Sequence, residues 1–179
     1  MIRLITGGAR SGKSEFAEKE LLNKKDVLYI ATAKVEDSEM EERVHQHKIR
    51  RPKSWGLFEG DKNLSSIVSN EYDFYLLDCI TVLCSNYLFN DTKGFDNIEK
   101  ETLKIVEDKI WKELENFIDA IRCEGKTLYI VTNEIGSSPV PMHAITRAFR
   151  DIQGRINQKL GQKADEVFLV VCSIPVRIK

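Results

Sequence analysis

Residues 7–14, which read GGARSGKS, constrain the fold of this chain more than any other segment. They fit the pattern G-x-x-x-x-G-K-[ST], in which glycines let the backbone turn tightly and aim its N–H groups at phosphates. A short apolar run at residues 2–6 precedes them, and residues 14–22 have the composition of a helix. The N-terminus of such a helix favours an anion. This strand–loop–helix context predicts a phosphate-binding loop in an α/β protein.

Apolar runs and helix-like segments alternate along the rest of the chain. The runs at residues 27–31, 74–77, 127–132 and 167–172 are continuously apolar, as in parallel strands that are covered on both faces. Residues 57–59 and 176–178 are weaker strand candidates. We predict helices at residues 38–49, 83–89, 98–123 and 142–160, the last capped by Gly161, and a loop at residues 90–97. The pattern indicates a mostly parallel sheet flanked by helices, in a single domain spanning residues 1–179.

Composition excludes several classes of function. The 27 Lys and Arg residues balance 28 Asp and Glu residues, so the chain has no general attraction for nucleic acid. No apolar run approaches the ~20 residues that cross a membrane, and the start of the chain lacks a signal peptide. None of the four cysteines forms a CxxC pair, which disfavours zinc and indicates buried free thiols. We therefore expect a cytoplasmic protein with no membrane span and no nucleic-acid partner.

Three residues suit the chemistry of a bound triphosphate. Within the loop, Lys13 should reach the β- and γ-phosphates, and the hydroxyl of Ser14 should bind Mg²⁺. Asp78 ends the apolar run FYLLD, where a carboxylate at the carboxyl edge of the sheet would complete the metal site. The alternative is that Asp78 is a turn residue or caps the next helix.

Two histidines lie in the polar segment at residues 41–55. His45 and His47 are two positions apart, so on a helix they point about 200° apart and only one can face a given site. The helical neighbours of His47 include Arg43, Arg50 and Arg51, which suit a triphosphate and favour a neutral, nucleophilic imidazole. The alternative is that both histidines, like the basic run at residues 48–53, lie on a solvated face.

Further motifs follow in order and cover nearly the whole chain. They read ITGGARSGKS, LYIATA, RVHQHKIRRPKSW, LLDCIT, VTNEIG, FRDIQGRINQ and ADEVFLVV. With these motifs the chain resembles the bifunctional adenosylcobinamide kinases and adenosylcobinamide-phosphate guanylyltransferases of cobalamin synthesis. The loop alone is shared by many families, whereas the histidine, NEIG and FRD segments are far more specific.

The resemblance implies a RecA-like P-loop NTPase fold and two reactions. In the first, ATP or GTP phosphorylates the hydroxyl of the aminopropanol arm of adenosylcobinamide, with Mg²⁺ as cofactor. In the second, GMP passes from GTP to that phosphate through a guanylylated histidine, which the motif places at His47. The resemblance also implies a homotrimer whose partners are adenosylcobinamide and a nucleoside triphosphate.

By motif match, the resemblance also implies the residues of the site. The catalytic residues are His47 and Lys13, and the metal residues are Ser14 and Asp78. The nucleotide-binding residues are Thr6, Gly7, Gly8, Ala9, Arg10, Ser11, Gly12, Lys13, Ser14, Ala31, Thr32, Ala33, Lys48, Ile49, Arg50, Arg51, Glu59 and Thr81.

The chain departs from the family pattern at a few positions. Gln46 stands where some relatives carry a second histidine, which keeps His45 as an alternative nucleophile. The loop at residues 136–141, GSSPVP, lacks a second glycine, and Ser173 replaces a usual glycine. Two other functions stay open from the residues: a P-loop kinase of another small alcohol without a covalent histidine, and a non-catalytic RecA-like nucleotide switch.

Overall fold

One seven-stranded sheet organises the chain in the computed structural model, which describes residues 1–33, 51–91 and 99–179. The spatial order is β3-β2-β4-β5-β1-β6-β7, and neighbouring strands are parallel except for the antiparallel pair β6 and β7. The strands are β1 Ile2–Thr6, β2 Val27–Ala31, β3 Gly56–Glu59, β4 Phe74–Asp78, β5 Thr127–Val131, β6 Glu166–Val171 and β7 Ile174–Arg177. The predicted parallel sheet is confirmed, including its edge strand near the C-terminus.

Helices cover both faces of the sheet. They are α1 Lys13–Leu21, α2 Ile80–Asp91, α3 Lys100–Cys123 and α4 Ala144–Lys163, with a short 3₁₀ helix at Leu64–Ile67. In α3, apolar side chains recur every three or four residues, so one stripe of the helix is buried. One buried cluster joins this stripe to α2, α4 and the sheet, and a second cluster packs α1 on the other face.

The predicted end of the last helix at Gly161 is wrong. Helix α4 continues to Lys163, and the Ala164 N–H still donates to the Leu160 carbonyl oxygen at 2.8 Å. Leu160 and Ala164 are both buried, so core packing carries the helix past the glycine. The helix also begins at Ala144 rather than at residue 142.

The cysteine prediction is only partly confirmed. All four thiols are free, as expected, but Cys123 and Cys172 are exposed rather than buried. Cys123 is the last residue of α3, and Cys172 follows β6 with a positive φ of 51°. Both positions lie at the ends of elements, where the core does not extend.

Some predicted elements lie outside the described residues. These are the helix at residues 38–49 and most of the loop at residues 90–97, of which α2 includes the first two positions. In the described part of the chain, no helix has the length and apolar character needed to span a membrane.

Candidate active site

The carboxyl ends of the parallel strands meet along one edge of the sheet, which is where ligands bind in open α/β folds. The GGARSGKS segment leaves β1 at this edge and leads into α1. Asp78 ends β4 there, level with Val131 of β5. Strand β5 lies between β1 and β4, so its carboxyl end separates the loop from Asp78.

The loop has the backbone geometry that its glycines predict. Gly12 has a φ of 95° and its carbonyl oxygen accepts the first helical bond of α1, from Phe16 N–H at 2.9 Å. A Cβ added at Gly12 would lie 2.7 Å from Oγ and 3.0 Å from Cα of Ser173. The Ser173 N–H donates to the Ser11 carbonyl oxygen at 2.8 Å. The turn between β6 and β7 therefore packs directly on the loop, and only glycine fits at position 12.

Lys13 is held inside this loop. Its ammonium nitrogen donates to the Gly8 carbonyl oxygen at 2.5 Å and lies 3.5 Å from Oγ of Ser11. Only 6% of the residue is exposed, and this burial lowers the pKa of Lys13. The nearby Cys79 and Asp78 partly oppose the decrease in pKa. The cation is thus positioned between the loop and the end of β4, where it can bind a phosphate.

Asp78 belongs to a chain of buried polar contacts. Its Oδ2 accepts a hydrogen bond from the Tyr29 hydroxyl at 3.2 Å. Burial of Tyr29, together with the negative charge of Asp78, raises the pKa of Tyr29 well above its usual value. The guanidinium of Arg51 stacks 3.4 Å from the centroid of the Tyr29 ring and approaches Glu18 of α1 at 3.9 Å. Arg51, which we expected to bind nucleotide, therefore lies one side chain away from the Asp78 carboxylate, with its side chain only 10% exposed.

Thr32 and Thr81 use their hydroxyl groups to join neighbouring segments of the site edge. The Thr32 hydroxyl donates to the Cys79 carbonyl oxygen at 2.8 Å and accepts from the Cys79 N–H at 2.9 Å. The Thr81 hydroxyl accepts from the Asn133 N–H at 2.8 Å. Both residues are buried, and they tie β2 to β4 and the start of α2 to the end of β5.

Glu59 lies far from the loop along the same edge. It ends β3, where it pairs with Ala31 of β2, and it is exposed. Four strand spacings separate β3 from β1, which is roughly 19 Å at about 4.8 Å each. Glu59 and Lys13 are therefore too far apart to bind one phosphate.

The structure brings together some of the predicted residues and does not describe others. Thr6, Gly7, Gly8, Ala9, Arg10, Ser11, Gly12, Lys13 and Ser14 form the loop, and Ala31, Thr32, Ala33, Asp78 and Thr81 line the adjoining edge. His45, His47, Lys48, Ile49 and Arg50 lie outside the described residues.

Sequence reasoning noted the motifs VTNEIG and FRDIQGRINQ but assigned none of their residues. In the structure, the Glu134 N–H donates to the Gly7 carbonyl oxygen at 2.9 Å. Behind it, the buried Gln153 donates to Thr132 and to Asn157, both at 2.9 Å, and Asn157 donates to the Asn133 carbonyl oxygen at 3.0 Å. The two motifs thus form one network that fixes the end of β5 against the loop.

The residues predicted to hold a metal offer oxygen atoms, which is the ligand type that Mg²⁺ prefers. Asp78 supplies a carboxylate, and Ser14 supplies a hydroxyl on the first turn of α1. Within residues 1–33, 51–91 and 99–179, there is no cluster of three or more His, Cys, Asp or Glu side chains suited to a metal. A hydroxyl and one carboxylate are nonetheless what a P-loop uses when substrate phosphates complete the coordination.

Comparison with solved structures agrees with the fold. A structure described as a prototypical ATPase from the type III secretion system of pathogenic bacteria superposes with a TM-score of 0.57. The sequence identity is 14%, and the match covers 94% of this chain and 51% of that one. The predicted RecA-like P-loop NTPase fold is confirmed, and at this identity the likeness concerns the fold alone.

Comparison with known sequences is more specific. The bifunctional adenosylcobalamin biosynthesis proteins CobU of Escherichia coli (strain K12) and Salmonella typhimurium (strain LT2) are 40% and 42% identical to this chain. Each match covers 100% of both proteins. The model of the cobinamide kinase / cobinamide phosphate guanyltransferase family matches residues 3–178. This protein therefore belongs to the cobinamide kinase / cobinamide phosphate guanyltransferase family.

Proposed function

We propose that this protein is a bifunctional transferase that acts twice on one corrinoid arm. It phosphorylates the hydroxyl of adenosylcobinamide with ATP or GTP, and then transfers GMP from GTP to that phosphate to give adenosylcobinamide-GDP. The observation that carries this proposal is the placement of Lys13 between the phosphate loop and Asp78, in a chain similar to these enzymes over its whole length.

The loop and its cation supply most of the binding and charge stabilisation. Backbone N–H groups of residues 7–14 bind the phosphates, and the ammonium of Lys13 exchanges the Gly8 carbonyl oxygen for a phosphate oxygen. Both reactions spread charge over phosphoryl oxygens in the transition state, so the same groups serve both. Ser14 and Asp78 would hold Mg²⁺, which supplies further charge stabilisation at the phosphates when it is bound.

His47 is the proposed nucleophile of the second reaction. An imidazole nitrogen attacks the α-phosphorus of GTP, a P–N bond forms, and the bond to the pyrophosphate oxygen breaks. A phosphate oxygen of adenosylcobinamide phosphate then attacks the same phosphorus and releases the imidazole. Covalent capture splits one difficult transfer into two easier ones. The support for His47 is its motif position and its flank of Arg43, Arg50 and Arg51.

Labelling with GTP tests this proposal. The protein mixed with Mg²⁺ and GTP labelled on the α-phosphate should gain one GMP, as an acid-labile and base-stable phosphoramidate. His47→Ala should lose the adduct and the guanylyltransferase activity but keep part of the kinase activity, since γ-phosphate transfer to an alcohol needs no histidine. Intact-protein mass and peptide mapping give the result.

His45→Ala is the matched control, because on a helix its side chain faces away from that of His47. It should keep the adduct. GMP mapped to His45, or undiminished labelling of His47→Ala, would reject the assignment. Phosphorylation without any adduct would instead favour a simple P-loop kinase of a small alcohol.

The assembly and the organisation of the chain belong to the same proposal. We expect one cytoplasmic domain over residues 1–179 and a homotrimer, both supported by resemblance to the family. Light scattering at several protein concentrations measures the mass, and a monomer throughout would contradict the trimer.

A further inference from the structure

The end of β5 occupies the gap between the two halves of the proposed phosphate site. Its last residue, Val131, is level with Ile5 of the loop strand and with Asp78 of the carboxylate strand. Residues that follow Val131 therefore leave the sheet between the phosphate loop and Asp78. The next residues are Thr132, Asn133 and Glu134, and neither reaction described above uses them.

Two hydrogen bonds donated by main-chain N–H groups fix this segment on its two sides. The Glu134 N–H donates to the Gly7 carbonyl oxygen at 2.9 Å, on the side of the loop. The Asn133 N–H donates to the Thr81 hydroxyl at 2.8 Å, on the side that follows Asp78. Both contacts are short, so the backbone of Glu134 is held against the loop rather than free to move with the following turn.

The side chain of Glu134 is also fixed, but mainly through one of its two oxygens. Oε1 accepts from the Gly136 N–H at 2.7 Å and from the Ser137 N–H at 3.1 Å. Among the described residues, Oε2 makes a long contact, 3.4 Å from the Gly136 N–H. The carboxylate is partly exposed, and Oε2 keeps lone pairs that can accept a proton.

The two proposed reactions differ in their need for a base. An alcohol must lose its proton when it attacks the γ-phosphorus, whereas a neutral imidazole attacks through its unprotonated nitrogen and a phosphate oxygen attacks as an anion. Other carboxylates of the described edge are less suited. Asp61 is buried and accepts from Asn86 at 2.7 Å, Glu59 lies four strands from the loop, and Asp78 is assigned to the metal.

We propose that Glu134 is the general base of the kinase reaction alone. Oε2 takes the proton of the substrate hydroxyl as the hydroxyl oxygen bonds to the γ-phosphorus. The bond between that phosphorus and the β,γ-bridging oxygen breaks, and the nucleoside diphosphate leaves with the electron pair. Glu134 then returns the proton to water. This inference rests on the proposed function, because it needs an alcohol as the acceptor.

Glu134→Gln is the decisive variant, because its amide oxygen can still accept the bonds from Gly136 and Ser137 while it no longer takes a proton. Phosphorylation of adenosylcobinamide should lose roughly 10²- to 10⁴-fold in kcat, the usual contribution of a general base, with little change in KM. Self-guanylylation by GTP, and GMP transfer to supplied adenosylcobinamide phosphate, should stay within about twofold of the original protein.

A second variant of Glu134 and one control distinguish a general base from a residue that only supports the loop structure. Glu134→Ala removes both the base and the acceptor, so a purely structural role predicts a defect in the Ala variant but an active Gln variant. A base predicts the same kinase defect in both. Glu124→Gln, which changes an exposed carboxylate after α3, is the matched control and should keep both activities.

The outcomes are distinct. Selective loss of the kinase in Glu134→Gln, with guanylylation retained, supports the proposal and shows that the variant is folded. An active kinase in Glu134→Gln overturns it, and so does equal loss of both activities, which would mean that Glu134 supports the shared triphosphate site. If the unaltered protein neither phosphorylates adenosylcobinamide nor gains GMP, the proposed function itself fails instead.

Discussion

Replacement of Gly12 by alanine tests whether the phosphate loop depends on its contact with the turn between β6 and β7. The new Cβ would lie 3.0 Å from Cα and 3.1 Å from Cβ of Ser173, in addition to its 2.7 Å approach to Oγ. The hydroxyl can rotate away, but the Cα belongs to the backbone and cannot. The φ of 95° at Gly12 adds a second cost, because residues other than glycine rarely adopt such a positive φ.

Both costs can be estimated. An L-residue in the left-handed region costs roughly 1–2 kcal/mol. Overpacking of a close contact costs about 1–3 kcal/mol. Alanine also reduces the conformational freedom of the unfolded chain, and this offsets about 0.4–1 kcal/mol of the loss in stability. We therefore expect Gly12→Ala to lower the free energy of unfolding by about 2–4 kcal/mol, or roughly 4–16 °C in Tm for a chain of this size.

Chemical denaturation gives the free energy of unfolding, and titration with GTP reports the loop itself. Binding of GTP should weaken as well, because the N–H groups of residues 11–13 move with the shifted backbone. Gly161→Ala is the matched control: it lies within α4 with nothing within 4 Å of a new Cβ, and should raise stability by about 0.5–1 kcal/mol. A Gly12→Ala protein as stable as the original, with unchanged GTP affinity, would refute the reasoning.

Two other predictions follow from the same edge of the sheet. Lys13→Ala should lower both the kinase and the guanylyltransferase rates by roughly 10²- to 10³-fold, since both place a triphosphate in one loop; retention of both activities would reject a shared site. Burial and the nearby Asp78 raise the pKa of Cys79 to about 12, and burial also raises the pKa of Cys84. At pH 8 the native protein should therefore take up iodoacetamide at the exposed Cys123 and Cys172, and at all four thiols only after unfolding; early adducts that map to Cys79 or Cys84 would contradict this.

The sequence predicts those features that depend on local chemistry. Continuous apolar runs locate the strands to within about two residues, because a strand covered on both faces leaves little room for polar side chains. The motif at residues 7–14 predicts the turn and the helix after it, whereas the burial of Lys13 near Asp78 is seen only in the structure. The end of α4 is a counterexample, since burial of Leu160 and Ala164 outweighs the local preference of Gly161.

Features that depend on strand order could not be derived from the sequence. No local signal says that β5 lies between β1 and β4, and this order alone places Glu134 beside the phosphate loop. Arg51 gives a second example. Its position in a basic run indicates a solvated or phosphate-facing side chain, yet it stacks on Tyr29 and approaches Glu18, which are distant in sequence.

Two of the departures from the family pattern, Ser173 and the loop that begins at Gly136, lie at or next to residues that contact the phosphate loop, and these contacts explain why the changes are tolerated. The Ser173 N–H bonds to Ser11 and the Glu134 N–H bonds to Gly7, so main-chain atoms fix the loop from two sides whatever the side chain. Ser173 adopts a φ of 62°, where the usual glycine would have no conformational cost. A Cβ at Gly136 would lie 2.9 Å from the Glu134 carboxylate, so glycine at this position lets the carboxylate keep its place. Changes after Gly136 therefore leave both the loop contacts and the Glu134 carboxylate in place.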